Sequence, residues 1–160
     1  MLRVTGNLSP GGFPPGSTTH PILLYDGVCG LCNRLVRFVL RRDLAGVFRF
    51  AALQSPLAAR ILSRHGVDAQ DLDTLYVVLN AEQADEILLL RSDAVIFILR
   101  RLGGVERPFW RLAGVLLRLV PRAVRDWGYG MVARRRYRMF GRYDACPLPS
   151  EETRNRFFDL

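Results

Sequence analysis

Lysine is absent: all 23 basic side chains of this chain are arginine, set against 15 acidic ones, for a formal net charge of +8. A positive balance of that size invites an anionic partner without naming one. Cysteine is scarce. Three residues, two of them in one C-x-x-C, exclude the even, dispersed set of a secreted disulfide scaffold and favour a reducing, cytoplasmic setting. No apolar run approaches the roughly 18 residues of a membrane-spanning helix. Residues 1–20 scatter Leu2, Val4, Leu8 and Phe13 among polar residues, prolines and glycines with no continuous apolar run, so no secretory signal is expected there and the segment reads as a flexible tail. The two histidines, His20 and His65, form no H-x-x-x-H pair, and there is no internal repeat or low-complexity block.

What remains is the composition of a folded protein: 49% hydrophobic and 10% aromatic over 160 residues, the size of one domain with a proper core. Ile22 to Tyr25 reads as a strand, followed by a helix from Gly30 to Arg42 whose apolar residues Leu35, Val36, Val39 and Leu40 share one face. Val47 to Leu53 brings β-branched and aromatic residues suited to a second strand. Ser55-Pro56 opens a second helix that Gly66 ends. Leu75 to Leu79 predicts a central strand and Glu86 to Leu90 its hairpin partner. Ser92-Asp93 is the expected cap of a third helix, closed by Gly103-Gly104.

The order to that point is βαβαββα. Beyond it, Pro108 begins a helix with the stripe Leu112, Val115, Leu116, Leu119, expected in the core. Pro121 interrupts, and Tyr129 to Phe140 forms another helix, with ten arginines and one acid, Asp126, between residues 107 and 142. Ser150 caps a last short helix. The division expected is a tail over 1–20, an α/β domain over 21–105, and a basic helical extension over 106–160 packed on that domain.

Tyr25-Asp26-Gly27-Val28-Cys29-Gly30-Leu31-Cys32 is the stretch with chemistry in it. A C-x-x-C just after a strand and opening a helix is a redox arrangement. Cys29 stands among the unsatisfied first N–H groups of the helix, where the positive dipole end favours a thiolate, with Arg34 near; Cys32 falls on the apolar stripe. Cys29 is thus expected to be the exposed nucleophile and Cys32 the sheltered resolving thiol. Asp26 is a candidate proton acceptor acting through water, and equally an Asx turn residue. Cys146, in Asp144-Ala145-Cys146-Pro147, has no partner at fixed spacing and is expected to be dispensable.

Two other readings compete. A zinc module would join Cys29, Cys32 and Cys146 to His20 or His65, although structural zinc ligands normally come in spaced pairs. An anion-binding module would work through the 107–142 arginine cluster, whose simpler reading is a solvated helix face.

The chain resembles the DCC family of thiol-disulfide oxidoreductases, named for the Asp and two Cys of Y-D-G-x-C-x-x-C, here Tyr25 to Cys32. The likeness continues through Phe48-Arg49-Phe50-Ala51-Ala52-Leu53-Gln54-Ser55, Ser92-Asp93-Ala94 and the segment Val132 to Arg142 with the following Cys146. It covers about residues 22 to 158. The resemblance implies a thioredoxin/glutaredoxin-like fold with a mixed four-stranded sheet. It also implies protein-disulfide reductase activity with no cofactor, on a protein or small-molecule disulfide, and recycling by a thioredoxin system or glutathione. Thioredoxins and glutaredoxins place a cis-proline just before the third strand; here Leu72-Asp73-Thr74 stands there, which makes Thr74 the candidate substrate-facing residue.

Overall fold

A computed structural model describes residues 20–68, 74–102, 108–146 and 149–158. The expected tail, His20 excepted, lies outside the described residues, as do Leu72-Asp73 and Gly103-Gly104. Strand β1 (Ile22–Tyr25) leads into α1 (Gly30–Arg42), β2 (Arg49–Ala52), α2 (Pro56–Arg64), β3 (Tyr76–Leu79), β4 (Ile87–Leu90) and α3 (Arg91–Leu102). Then follow α4 (Pro108–Leu119), α5 (Arg122–Phe140), α6 (Glu151–Arg154) and β5 (Phe157–Phe158).

The sheet runs β4-β3-β1-β2-β5, five strands where four were expected. β1 pairs parallel with β2 and antiparallel with β3, which pairs antiparallel with β4; these four strands take the thioredoxin-like arrangement. The fifth, two residues parallel to β2, is too short to leave an alternating signature in sequence. Phe157 stacks on Phe50 with ring centroids 5.0 Å apart. Arg156 fastens the strand by pairing with Asp43 and donating through Nε to the Phe48 carbonyl at 3.2 Å.

Alternation along each strand divides the core. Leu23, Tyr25, Val77 and Leu89 face Val36 and Val39 of α1 and Phe97 and Ile98 of α3, while Ile22, Leu24, Tyr76, Val78 and Leu88 face Leu57, Ala58, Ile61 and Leu62 of α2. Cover on both faces is why these strands read as unbroken apolar runs. α2 starts as its sequence predicts, with Ser55 Oγ accepting from the Ala58 N–H at 3.2 Å and Pro56 in the first turn. Gly66 follows it at φ 66, where a side chain would be strained.

Two expectations change in the helices after β4. Ser92 and Asp93 do not precede α3: the strand passes straight into the helix through Arg91 at φ 48, and both residues sit in the first turn. They are turned toward α5, which begins at Arg122 rather than at Tyr129. Ser92 Oγ donates to Asp126, and Arg125 Nη1 donates to Asp93 Oδ1 at 3.1 Å. The stripe Leu112, Val115, Leu116, Leu119 is exposed, not buried. α4 lays its other face on α3, where Gly114 comes so close that an added Cβ would stand 2.8 Å from Arg100 Cγ. The slim side of the helix packs because it lets the two backbones approach; the leucine side would hold them apart.

Candidate functional site

Cys29 is the N-cap of α1, with an extended backbone at φ −80 and ψ 124, and its Sγ accepts the Cys32 N–H at 3.5 Å. The loop before it is pinned from inside the helix. Asn33 Nδ2 donates to the Gly27 carbonyl at 2.7 Å and to the Cys29 carbonyl at 3.0 Å, both buried. Gly30 stands where only glycine fits, since a Cβ would lie 2.1 Å from the Phe140 carbonyl oxygen, and at Gly27 a Cβ would come within 2.8 Å of Cys146 Sγ and press on that side chain.

Asp26 is 1% exposed and its carboxylate is saturated. Oδ1 accepts from the Val28 N–H at 3.1 Å and from Gln54 Nε2 at 2.9 Å. Oδ2 accepts from Arg136 Nη2 at 3.0 Å and from the Tyr137 hydroxyl. The Val28 bond is the Asx turn foreseen in sequence, and the other three tie the loop after β1 to the loop after β2 and to the far end of α5. Arg136, 3% exposed, therefore brings a buried positive charge beside the thiols.

The two thiols are driven apart in acidity. Cys29 is lowered to about 6, chiefly by the hydrogen bond that the Cys32 thiol donates to it. Burial opposes this, and the Cys32 N–H, the Arg136 charge and the Leu31 N–H assist. Cys32 is pushed far up by that same hydrogen bond, by burial and by the negative charge on Cys29. One proton between two sulfurs, held on Cys32, leaves Cys29 the thiolate. The cation acting on Cys29 is Arg136, whereas Arg34 lies over the Phe140 ring.

Exposure is the reverse of what the sequence leads one to expect. Cys29 is fully buried and Cys32 partly exposed. The cover over Cys29 is the segment after α5. The Gly30 N–H donates to the Gly141 carbonyl at 3.1 Å, the Tyr143 N–H donates to the Val28 carbonyl at 2.8 Å, and Cys29 and Arg142 form an antiparallel bridge. Cys32 instead lines an open cavity of about 350 Å³ with walls that include Leu31, Leu35, Leu75, Val95, Leu117 and Val132.

Thr74 is buried and lines a different cavity with Asp126, Tyr129 and Ala133, while its neighbour Leu75 lines the one at Cys32. Cys146 is partly buried, its Sγ 3.7 Å from the Tyr25 hydroxyl and against Gly27, so the third cysteine lies beside the C-x-x-C loop. Among the described residues no three His, Cys, Asp or Glu side chains gather as a metal site. His65 Nε2 is engaged with Glu86 Oε1 at 2.9 Å, and His20 Nδ1 with the Val47 carbonyl at 2.9 Å.

Asn33, Gln54, Arg136 and Tyr137 are the site residues that sequence reasoning had not singled out. Gln54, Arg136 and Tyr137 fall inside the segments that carry the family resemblance, the one signal available for them. The family model for DCC1-like thiol-disulfide oxidoreductases matches residues 23–142, a span that holds Asp26, both paired cysteines and all four of these residues. The chain is 37% identical over 136 residues to the uncharacterized protein YuxK of Bacillus subtilis, covering 85% of this chain and 92% of that one. It is 40% identical over 129 residues to a chloroplastic DCC family protein of Arabidopsis thaliana, covering 81% and 70%. No solved structure matches the chain.

Proposed function

The chain belongs to the DCC1-like thiol-disulfide oxidoreductase family, and from that premise we propose that it is a protein-disulfide reductase working through the Cys29–Cys32 dithiol. The observation that carries this reading is the setting of Cys29, whose Sγ caps α1 and accepts the Cys32 N–H with the buried Arg136 charge near, an arrangement that lowers Cys29 and pushes Cys32 up. A thiolate attacks and a thiol does not, so the acid member is assigned as nucleophile even though it is the more covered of the two. Lifting the strap of residues 141–143 takes a local movement; deprotonating Cys32 beside an existing thiolate takes a buried second charge.

In the cycle, the Cys29 thiolate attacks one sulfur of the substrate disulfide, forming a mixed disulfide and releasing the other substrate sulfur as a thiolate that takes up a proton. Cys29 then no longer bears a charge or accepts the Cys32 hydrogen bond, which removes the two largest influences holding the proton on Cys32 apart from burial. Cys32 loses its proton, attacks Cys29 Sγ and releases the second substrate thiol, leaving the Cys29–Cys32 disulfide. Two electrons pass to the substrate. An external dithiol of a thioredoxin system, or two glutathiones, in a reducing compartment such as the cytoplasm restores the dithiol and leaves as the disulfide. Asp26, with every lone-pair direction occupied, is assigned the positioning of Arg136 and of the loop, not proton transfer. Cys146 is assigned to packing.

Insulin reduction with dithiothreitol as reductant, run beside a metal analysis of the same sample, tests the reading. The parent protein should accelerate precipitation of the insulin B chain, and Cys29→Ser should fall to the uncatalysed rate. Equal rates for the two proteins would remove the dithiol from the reaction.

A further inference from the structure

Away from the thiols, α4 turns an apolar stripe to solvent. Phe109, Leu112, Leu116 and Leu119 are 67%, 56%, 54% and 76% exposed, and past Pro121 the surface continues with Val124 at 55% and Trp127 at 67%. Spacings of three and four keep the α4 residues on one side of the helix. Exposed apolar surface of this extent is unusual in a protein that works free in solution. Its surroundings are cationic. From 108 to 124 the charged residues are Arg111, Arg118 and Arg122, with no acid among them, while Arg125 and Arg136 further along turn inward to Asp93 and Asp26.

We propose that this face lies on an anionic membrane surface, with the stripe at the boundary of headgroups and acyl chains and the arginines on lipid phosphates. Leucine, phenylalanine and tryptophan on one side of a helix with arginine beside them is the composition of a helix that lies in the interface plane. Arginine attraction to anionic lipid adds to the apolar burial. A second copy of the chain fits the face poorly, since it would set arginine against arginine. The side chains stand out from a helix rather than line a groove, which suits a lipid surface better than the helix of an acidic protein. Among the described residues no helix is long and apolar enough to cross a membrane, so the association is peripheral.

Flotation of the full chain with vesicles tests this, using equal parts phosphatidylglycerol and phosphatidylcholine in one arm and phosphatidylcholine alone in the other. The protein should float with the anionic vesicles and stay behind with the neutral ones. Leu119→Asp and Arg111→Glu should each lower the partition coefficient by about tenfold. Both positions are exposed, so circular dichroism and the melting temperature should stay those of the parent, with Leu112→Asp as a further variant of the stripe. Insulin reduction without vesicles should be unchanged by Leu119→Asp, which separates failure here from failure of the thiol mechanism. Absence of flotation, or flotation indifferent to Leu119→Asp and Leu112→Asp, overturns the proposal. So does binding to poly-glutamate without binding to vesicles, or a dimer in sedimentation that Leu119→Asp dissolves.

Discussion

Arg136→Met is expected to lower the free energy of unfolding by about 3–5 kcal/mol, the cost of leaving one member of a buried ion pair without the other. Arg136 and Asp26 are both almost wholly out of solvent, and their contact at 3.0 Å joins the end of α5 to the loop that holds the thiols. Methionine keeps much of the length and apolar stem but strands the carboxylate on Tyr137, Gln54 and the Val28 N–H, none of which carries charge. Asp26→Asn made on top should cost much less than it does alone, because the two residues fail as a unit. Urea denaturation of the two single variants and the double variant measures this. A loss for Arg136→Met below about 1 kcal/mol, the range of a solvent-screened pair, would show that the contact does not organise the site.

Alkylation of Cys29 in the folded protein is expected to rise about tenfold per pH unit up to about pH 6 and to level off above it, since only the thiolate reacts. In the urea-unfolded chain the same residue should still be gaining rate toward its ordinary value of ~8.5. A thiol whose folded value is depressed stabilises the reduced protein fully above the unfolded value, and loses that contribution as pH falls through about 6. The strap over Cys29 slows every point of the profile without moving its midpoint, because opening does not itself titrate. Peptide mass spectrometry after short iodoacetamide pulses, with Cys29 and Cys32 followed separately, provides the measurement. A midpoint near ~8.5 for Cys29 in the folded state, or Cys32 labelled first, would reverse the roles of the thiols.

The elements from β1 to α3 were legible because their signals are local. α1 ends at Arg42 where the apolar stripe gives way to Asp43, and α2 is framed by Ser55, Pro56 and Gly66. The placement of the C-x-x-C was legible for the same reason, as a strand, a turn and a helix start within a dozen residues. The cover on Cys29 was not. It comes from residues 141–143, and local spacing near Cys29 carries no trace of them. Arg136 was hidden among the other arginines of the extension, since composition reveals a basic surface but not which guanidinium turns inward to a carboxylate. The α4 stripe shows a different limit. Periodicity reports which side of a helix is apolar, and only packing decides whether that side is covered; here the Gly114 side took the contact with α3.

The attack by Cys29 and its resolution by Cys32 are tested most directly by removing the resolving thiol. Cys32→Ser in a Cys146→Ala background, which takes away the other thiol that lies beside the loop, should accumulate mixed disulfides through Cys29 that run as larger bands on non-reducing gels and vanish with dithiothreitol. Cys29→Ser in the same background should accumulate none. Mixed disulfides on Cys32 in the Cys29→Ser protein, or none on Cys29 in the Cys32→Ser protein while the parent still reduces insulin, would contradict the order of attack.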